Sequence, residues 1–320
     1  WVWGAVFQVV YALVQGTDFW LPQGWFAACE EVFTSNPAIL AGSEQLYLGN
    51  AVQQIPRLRG TMCEPLYLGN FLLATIPLVF LTGWSRLKTW ALAALLVTLL
   101  LLTWSRGAWL AGLMAGVAGL AMARRYDLLS IGRSFRGRAL WVVLAGVMGL
   151  GVVAVAGREE IWLPWRRLMQ SFSMADWSNL TRLYSMEAAW RGFLLSPVVG
   201  LGWGQFGFHF ATLTDPMGLQ SMFSWPVVNN FPLEILCECG ILGAVAFGWA
   251  SWRVGLSCHR RLQAGGSVAI PVLLLLVSVV GIWLQMLTFS QYNLPHIWAS
   301  LGLLVGCLAA PPASAEGGSA

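Results

Sequence analysis

Apolar residues in this chain come in blocks rather than at the period of a half-buried strand. Eight blocks fall near 1–14, 66–83, 88–103, 107–123, 139–156, 230–252, 268–289 and 296–310. A bilayer core takes roughly 20 residues at about 1.5 Å rise each, and several blocks reach that length. In lipid each must be helical, because no water satisfies a stray backbone group. The pattern predicts an all-α, polytopic transmembrane helical bundle with about eight spans and a large, partly helical loop at 157–229. Within that loop, Leu180 to Leu195 reads as a partly amphipathic helix ending before Pro197. The membrane domain covers 1–310 and a disordered tail, PPASAEGGSA, covers 311–320. Trp1 lies inside an apolar run with no basic leader before it, which reads as a membrane domain truncated at its N-terminus.

Composition sharpens this. Hydrophobic residues make up 58% of the 320 residues and charged ones only 10%, against about a quarter charged in a soluble domain. A water-soluble enzyme is excluded. The net charge of +4 has a topological explanation, so no nucleic acid is implied. Arg86 and Lys88, then Arg124, Arg125, Arg133, Arg136 and Arg138, then Arg253, Arg260 and Arg261 occupy three linkers, opposed only by Asp127. Such a bias marks the cytoplasmic side. Even numbers of spans separate the three linkers, so all fit on one side. The segments 15–65, 157–229, the Ser105–Gly107 turn and 290–295 are then exoplasmic. Loops as long as 157–229 are usually functional. Trp84, Trp104, Trp109, Trp141 and Trp203 near span ends fit interfacial anchoring.

Arginine is scarce outside the cytoplasmic linkers. Arg57 and Arg59 precede a span, Arg106 sits in a two-helix turn, and Arg182 and Arg191 lie on the loop helix, nine apart and so on roughly opposite faces. One such arginine can simply snorkel; several at one membrane face favour a phosphate, which the guanidinium fork grips bidentately. Glu234 and Glu238, at i and i+4 in EILCECG, share one helix face in an apolar run where ionisable groups mark a site or an ion pair. His209 lies in the long loop and His296 opens the last span. Cys237 and Cys239 read as helix packing. No metal spacing, Walker A, G-x-S-x-G or dinucleotide signature is present, and no cofactor or metal is expected. Gly112 and Gly116 form a G-x-x-x-G suited to close helix approach. No broken-helix pair or inverted repeat of the transporter kind is evident.

Four stretches together resemble the O-antigen ligase and polymerase family of polytopic membrane proteins: RLRGTMCEPLYLGNFLL (57–73), LLTWSRGAWLAG (101–112), TRLYSMEAAWRGFLLSPVVGLGWGQF (181–206) and VVNNFPLEILCECGILGAVAF (227–247). The third ends in P-x-x-G-x-G-x-G; the fourth is similar to H-N-x-x-L-E followed by E-x-G-x-x-G. The resemblance implies a metal-independent glycosyltransferase at the exoplasmic face of the inner (cytoplasmic) membrane. It would transfer or polymerise a glycan from a lipid-diphosphate-linked donor to a glycan or lipid-glycan acceptor in surface polysaccharide synthesis. Arg106 and Arg182 then hold the diphosphate as its charge grows, and Glu238 braces one of them. Asn229 stands at the family's catalytic histidine, with Arg59, Arg191, His209, Asn230 and Glu234 lining the substrate.

Two departures keep a second reading open. Asn229-Asn230 replaces His-Asn, and an amide cannot take a proton from an acceptor hydroxyl; His209 or Glu234 would have to serve. Pro65-Leu66 replaces Pro-Asn. Cyanobacterial relatives labelled bicarbonate transporters share the S-R-G turn and a P-L-E helix start like Phe231–Glu234, so transport of inorganic carbon or another small anion is the alternative.

Overall fold

A computed structural model describes residues 1–20, 47–48, 55–128, 169, 177–214 and 226–310. The expected span at 139–156, Arg133, Arg136 and Arg138 of the second basic linker, parts of the 157–229 loop and the tail from 311 lie outside the described residues. Among the described residues the structure is helical apart from one antiparallel pair, β1 (Tyr47–Leu48) with β2 (Ile55–Pro56). The chain divides into two units, Trp1–Arg167 and Leu168–Ala320.

The first unit contains α1 (Val2–Trp20), α2 (Pro65–Leu78) running into a 3-10 turn at Val79–Leu81, α3 (Arg86–Leu102) and α4 (Arg106–Arg125). Pro65 opens α2 at a position whose N–H would have no intrahelical partner anyway. Arg124 and Arg125 close α4, where cations suit the negative end of the helix dipole. Both α1 and α4 pack on α2 and α3. A Cβ on Gly112 would lie 3.0 Å from Leu73 Cδ2 of α2, whereas Gly116 faces open space. Only half of the G-x-x-x-G is therefore a packing face.

The second unit contains α5 (Trp177–Leu195), α6 (Phe206–Leu213), α7 (Phe231–Ala264), α8 (Ala269–Gln285) and α9 (Pro295–Ala309). The loop helix expected at Leu180–Leu195 is α5, one turn longer. It packs on α6 and α7, while α7 also packs on α8 and α9. Ala188, Ala189, Phe206, Phe210 and Cys237 form the core between α5, α6 and the start of α7.

By length and composition α4 and α7 are the described helices that can cross a bilayer outright; Val2–Thr17, Pro65–Leu81, Ala269–Gln285 and Pro295–Ala309 are apolar but shorter. Leu113, Met114, Val117 and Leu120 of α4, and Leu242, Val245 and Trp249 of α7, are exposed. In water such stripes would be a liability; facing lipid they cost nothing.

Candidate functional site

In the second unit the site is built around a break in α7. Gly240 adopts φ 63°, ψ −165° inside the helix, so the amides of residues 241 and 242 lose their partners four residues back. The loop after α5 supplies new ones. Ile241 N–H donates to Pro197 O (2.8 Å) and Leu242 N–H to Val198 O (3.2 Å). In return Leu201 N–H donates to Cys237 O and Gly202 N–H to Glu238 O, both at 2.9 Å. The freed amides of 241 and 242 and the freed carbonyls of 237 and 238 are thus bonded again, as an apolar environment demands.

This stitching accounts for the glycines of P-x-x-G-x-G-x-G and E-x-G. Gly200 has φ +74° and a Cβ there would collide with the backbone of Glu238 and Cys239; a Cβ on Gly240 would collide with Val198. The two backbones touch where side chains would stand. Sequence reasoning shows no broken-helix pair; among the described residues the structure has one discontinuous helix, and Gly240 itself was the available signal.

Glu238 finishes the loop. Its Oε2 accepts Gly204 N–H at 2.7 Å and its Oε1 accepts Phe206 N–H at 3.0 Å. Phe206 opens α6, so the carboxylate caps that helix from another element, where negative charge and orphan amides meet favourably. The family resemblance gives Glu238 an arginine to brace. The structure engages both of its oxygens with backbone instead, because the broken helix and the glycine loop bring two N–H groups into its reach. Cys237 is buried beside Gly192, a packing residue as its surroundings suggested.

Asn229 and Asn230 shape the start of α7. Asn229 has φ 59°, a conformation asparagine tolerates better than most residues, and its N–H donates to Ser290 Oγ at 2.9 Å. Asn230 is the N-cap: its Oδ1 accepts Leu233 N–H at 3.0 Å and its Nδ2 donates to Leu287 O at 2.9 Å beyond α8. Such a cap contributes about 1 kcal/mol. Glu234 is 5% exposed. Ser290 hydrogen-bonds its carboxyl, while Oε2 has no hydrogen-bond partner among the described residues.

Ser290 and Tyr292 escaped sequence reasoning, since their 290–295 connection looks like an ordinary short link. The ring of Tyr292 lies 4.5 Å from that of Trp203 and 5.9 Å from that of Phe231. Burial, then the charges of Glu238 and Glu234, push its phenol up to about 12.

The remaining candidates of this unit sit on its helices. Arg191 pairs with Glu187 at 2.5 Å, both side chains exposed, and reaches Leu213 O at the end of α6. Arg182 is half-buried on α5 and His209 half-buried on α6.

In the first unit two turns meet. Arg57 Nε donates to Thr103 O at 3.1 Å and Leu58 N–H to Leu102 O at 3.0 Å, setting RLRGT beside TWSRG. Two glutamines of α1 hold the first turn. Gln15 Oε1 accepts both Arg59 N–H and Gly60 N–H at 3.1 Å, and Gln8 Oε1 accepts Thr61 N–H at 3.1 Å. Glutamines seven apart in an apolar helix share a face, and that spacing is the signal for them in the sequence. The second turn carries Trp104 at φ 52°, a strained state for a bulky residue and of the kind that gathers at functional sites. Trp104 is buried against Trp109 rather than anchored at an interface, because the turn folds inward under it. Arg106 is the first residue of α4 and is buried; Arg59 is fully buried. Ser105, the N-cap of α4, makes no side-chain cap, so the amides opening that helix stand beside Arg106. Arg106 and the N-terminus of α4 are donors of the kind that suits an anion, whereas Arg59 Nη1 donates to Met62 O at 3.4 Å.

Among known families, residues 91–248 match the model described as Wzy_C, O-Antigen ligase. The match takes in the TWSRG turn, α5, the glycine loop and the break in α7, and leaves out the 57–73 stretch. No curated protein and no solved structure matches the chain.

Proposed function

Residues 91–248 belong to the O-antigen ligase family, and from that premise we propose that this membrane protein transfers or polymerises a lipid-diphosphate-linked glycan at the exoplasmic face of the cytoplasmic membrane, without a metal. The observation that carries the reading is the buried arginine at the N-terminus of α4, with the RLRGT turn tied to the TWSRG turn that leads into it. Cleaving a sugar–phosphate bond leaves the lipid diphosphate with growing negative charge. Guanidinium and backbone N–H groups fixed in a dry setting stabilise such charge without reorganising. A groove of about 510 Å³ with an almost wholly apolar lining, including Phe231, Phe247, Trp283 and Leu287, suits a hydrocarbon chain in the second unit.

Transport of a small anion is the less supported reading. Discontinuous helices in transporters leave unwound backbone groups to meet the ion, whereas in α7 the groups freed at Gly240 bond to residues 197–202.

The test uses the full chain in lipid vesicles with a polyprenyl-diphosphate oligosaccharide and an acceptor glycan, with products read by mass spectrometry. Arg106→Ala should lower kcat on the order of 100-fold or more, the scale of losing one preorganised donor to a developing anion. Arg106→Lys keeps the charge but not the fork and should fall between. Full transfer by Arg106→Ala would overturn the assignment. Arg182, in the other unit, is examined as a separate variant in the same assay.

A further inference from the structure

The setting of Trp203 differs from that of an interfacial anchor. The residue stands in the glycine loop between Gly202 (φ +109°) and Gly204 (φ +71°). Both flanks are pinned to one residue: Gly202 N–H to Glu238 O and Gly204 N–H to Glu238 Oε2. The indole is therefore held rigidly yet remains 52% exposed. Its ring packs on Tyr292 at 4.5 Å with the planes inclined at 52°. Tyr292 in turn leans on buried Phe231, and its carbonyl accepts the Trp298 indole N–H. Nothing among the described residues hydrogen-bonds the Tyr292 hydroxyl. Glu234, 5% exposed and with an oxygen lacking a hydrogen-bond partner among the described residues, is near enough, like Glu238, for its charge to act on the phenol.

An exposed, immobilised indole beside a second aromatic ring, with a hydroxyl donor and buried carboxyls close by, is a surface of mixed chemistry. An apolar ligand leaves the polar groups unmet, and an anion is disfavoured by the carboxyls and by the negative ring faces. A pyranose has both: one face of C–H bonds that lies on an indole, and equatorial hydroxyls that seek O–H and carboxyl partners. We propose that Trp203 and Tyr292 form a sugar-binding platform that seats a pyranose ring of the glycan substrate, with the Tyr292 hydroxyl and the Glu234 carboxyl available to its hydroxyls. This rests on the glycan-transfer reading above and deepens it. The ring seated is either in the donor glycan or in the acceptor; the chemistry is shared and the kinetics separate the two.

The experiment compares wild type, Trp203→Ala, Trp203→Phe and Tyr292→Phe, each full-length in lipid nanodiscs. Binding is read first on an array of bacterial surface oligosaccharides. Saturation-transfer NMR follows, with the best-bound oligosaccharide as free probe. Transfer kinetics are then measured with donor and acceptor varied in turn. Trp203→Ala should weaken oligosaccharide binding about tenfold, raise KM for one of the two substrates about tenfold and leave kcat within about twofold. Trp203→Phe should recover most of the loss. The substrate whose KM moves identifies the source of the ring. Because Trp203 is exposed, unfolding temperature should be unchanged in both variants.

Wild type that transfers glycan while Trp203→Ala shows unaltered KM for both substrates and unaltered NMR contacts would overturn the platform alone. Wild type that neither binds nor transfers any glycan would overturn the transfer reading and the platform with it. Equal KM losses in Trp203→Ala and Trp203→Phe, with no sugar protons saturated, would return Trp203 to membrane anchoring.

Discussion

Replacing Gly240 by alanine tests whether the stitched break in α7 holds the second unit together. At φ 63°, ψ −165° the backbone occupies a region essentially confined to glycine, and another residue there costs about 1–3 kcal/mol. The new Cβ also meets the carbonyl and backbone of Val198, which cannot rotate aside as a side chain would. The 197–202 loop must move, and four cross-bonds hold it: Ile241 to Pro197, Leu242 to Val198, Leu201 to Cys237 and Gly202 to Glu238. Taking ~1 kcal/mol net for each of two bonds lost and ~2 kcal/mol of strain gives roughly 4 kcal/mol. Alanine returns roughly 0.5–1 kcal/mol by restricting the unfolded chain, so about 3 kcal/mol of destabilisation remains. For a unit near 150 residues that corresponds to a fall in Tm of roughly 6–12 °C.

Thermal unfolding in detergent, followed by tryptophan fluorescence, reads the shift. Hydrogen exchange at residues 197–204 and 237–242 should quicken at the same time. Gly116→Ala is the control: it is helical, its Cβ meets nothing within 4 Å, and it should be neutral or gain up to about 1 kcal/mol. If Gly240→Ala melts with wild type and exchanges no faster, the cross-bonded break does not hold the second unit together.

Two further outcomes follow from the same region. Glu238→Gln keeps the shape but turns an amide N–H₂ toward Gly204 N–H or Phe206 N–H, leaving a donor unmet; a cost of about 1–3 kcal/mol should appear as a lower Tm and faster exchange across 204–213, and unchanged values would remove Glu238 as the cap of α6. Tyr292, with its phenol raised to about 12 by burial and by Glu238 and Glu234, holds its proton more tightly in the folded protein than in the unfolded chain, where tyrosine titrates near 10. Its contribution to stability is thus complete at neutral pH and is lost as pH rises through about 12. Tyr292→Phe should leave the pH profile of transfer between about pH 6 and 9 unaltered in shape, and a profile that loses an ionisation in that range would contradict the assignment.

What the sequence determined is the part of the structure set by the solvent. Long apolar blocks in a chain so poor in charge have one stable answer in lipid, the helix, because each helix satisfies its own backbone. The loop helix α5, the turn at Ser105–Gly107 and the packing role of Cys237 were legible for equally local reasons: Pro197 ends one helix, a short polar turn separates two apolar blocks, and a cysteine in an apolar run packs. The family resemblance was legible because motif order is itself sequence information. What only the tertiary structure decided lies in pairs distant along the chain. Gly200 and Gly240 need each other's missing side chains, yet forty positions separate them, and neither alone announces a broken helix. Glu238 reads as an ionic partner until the backbone of 204–206 is folded against it. Tyr292 reads as a link residue until Trp203 lies on it. Gln8 and Gln15 become meaningful only when the RLRGT turn is laid along α1. Helix formation answers to the residue and its solvent. The fate of a freed carbonyl, or of a second carboxylate oxygen, depends on which distant N–H group the fold carries within 3 Å, and no local propensity encodes that distance.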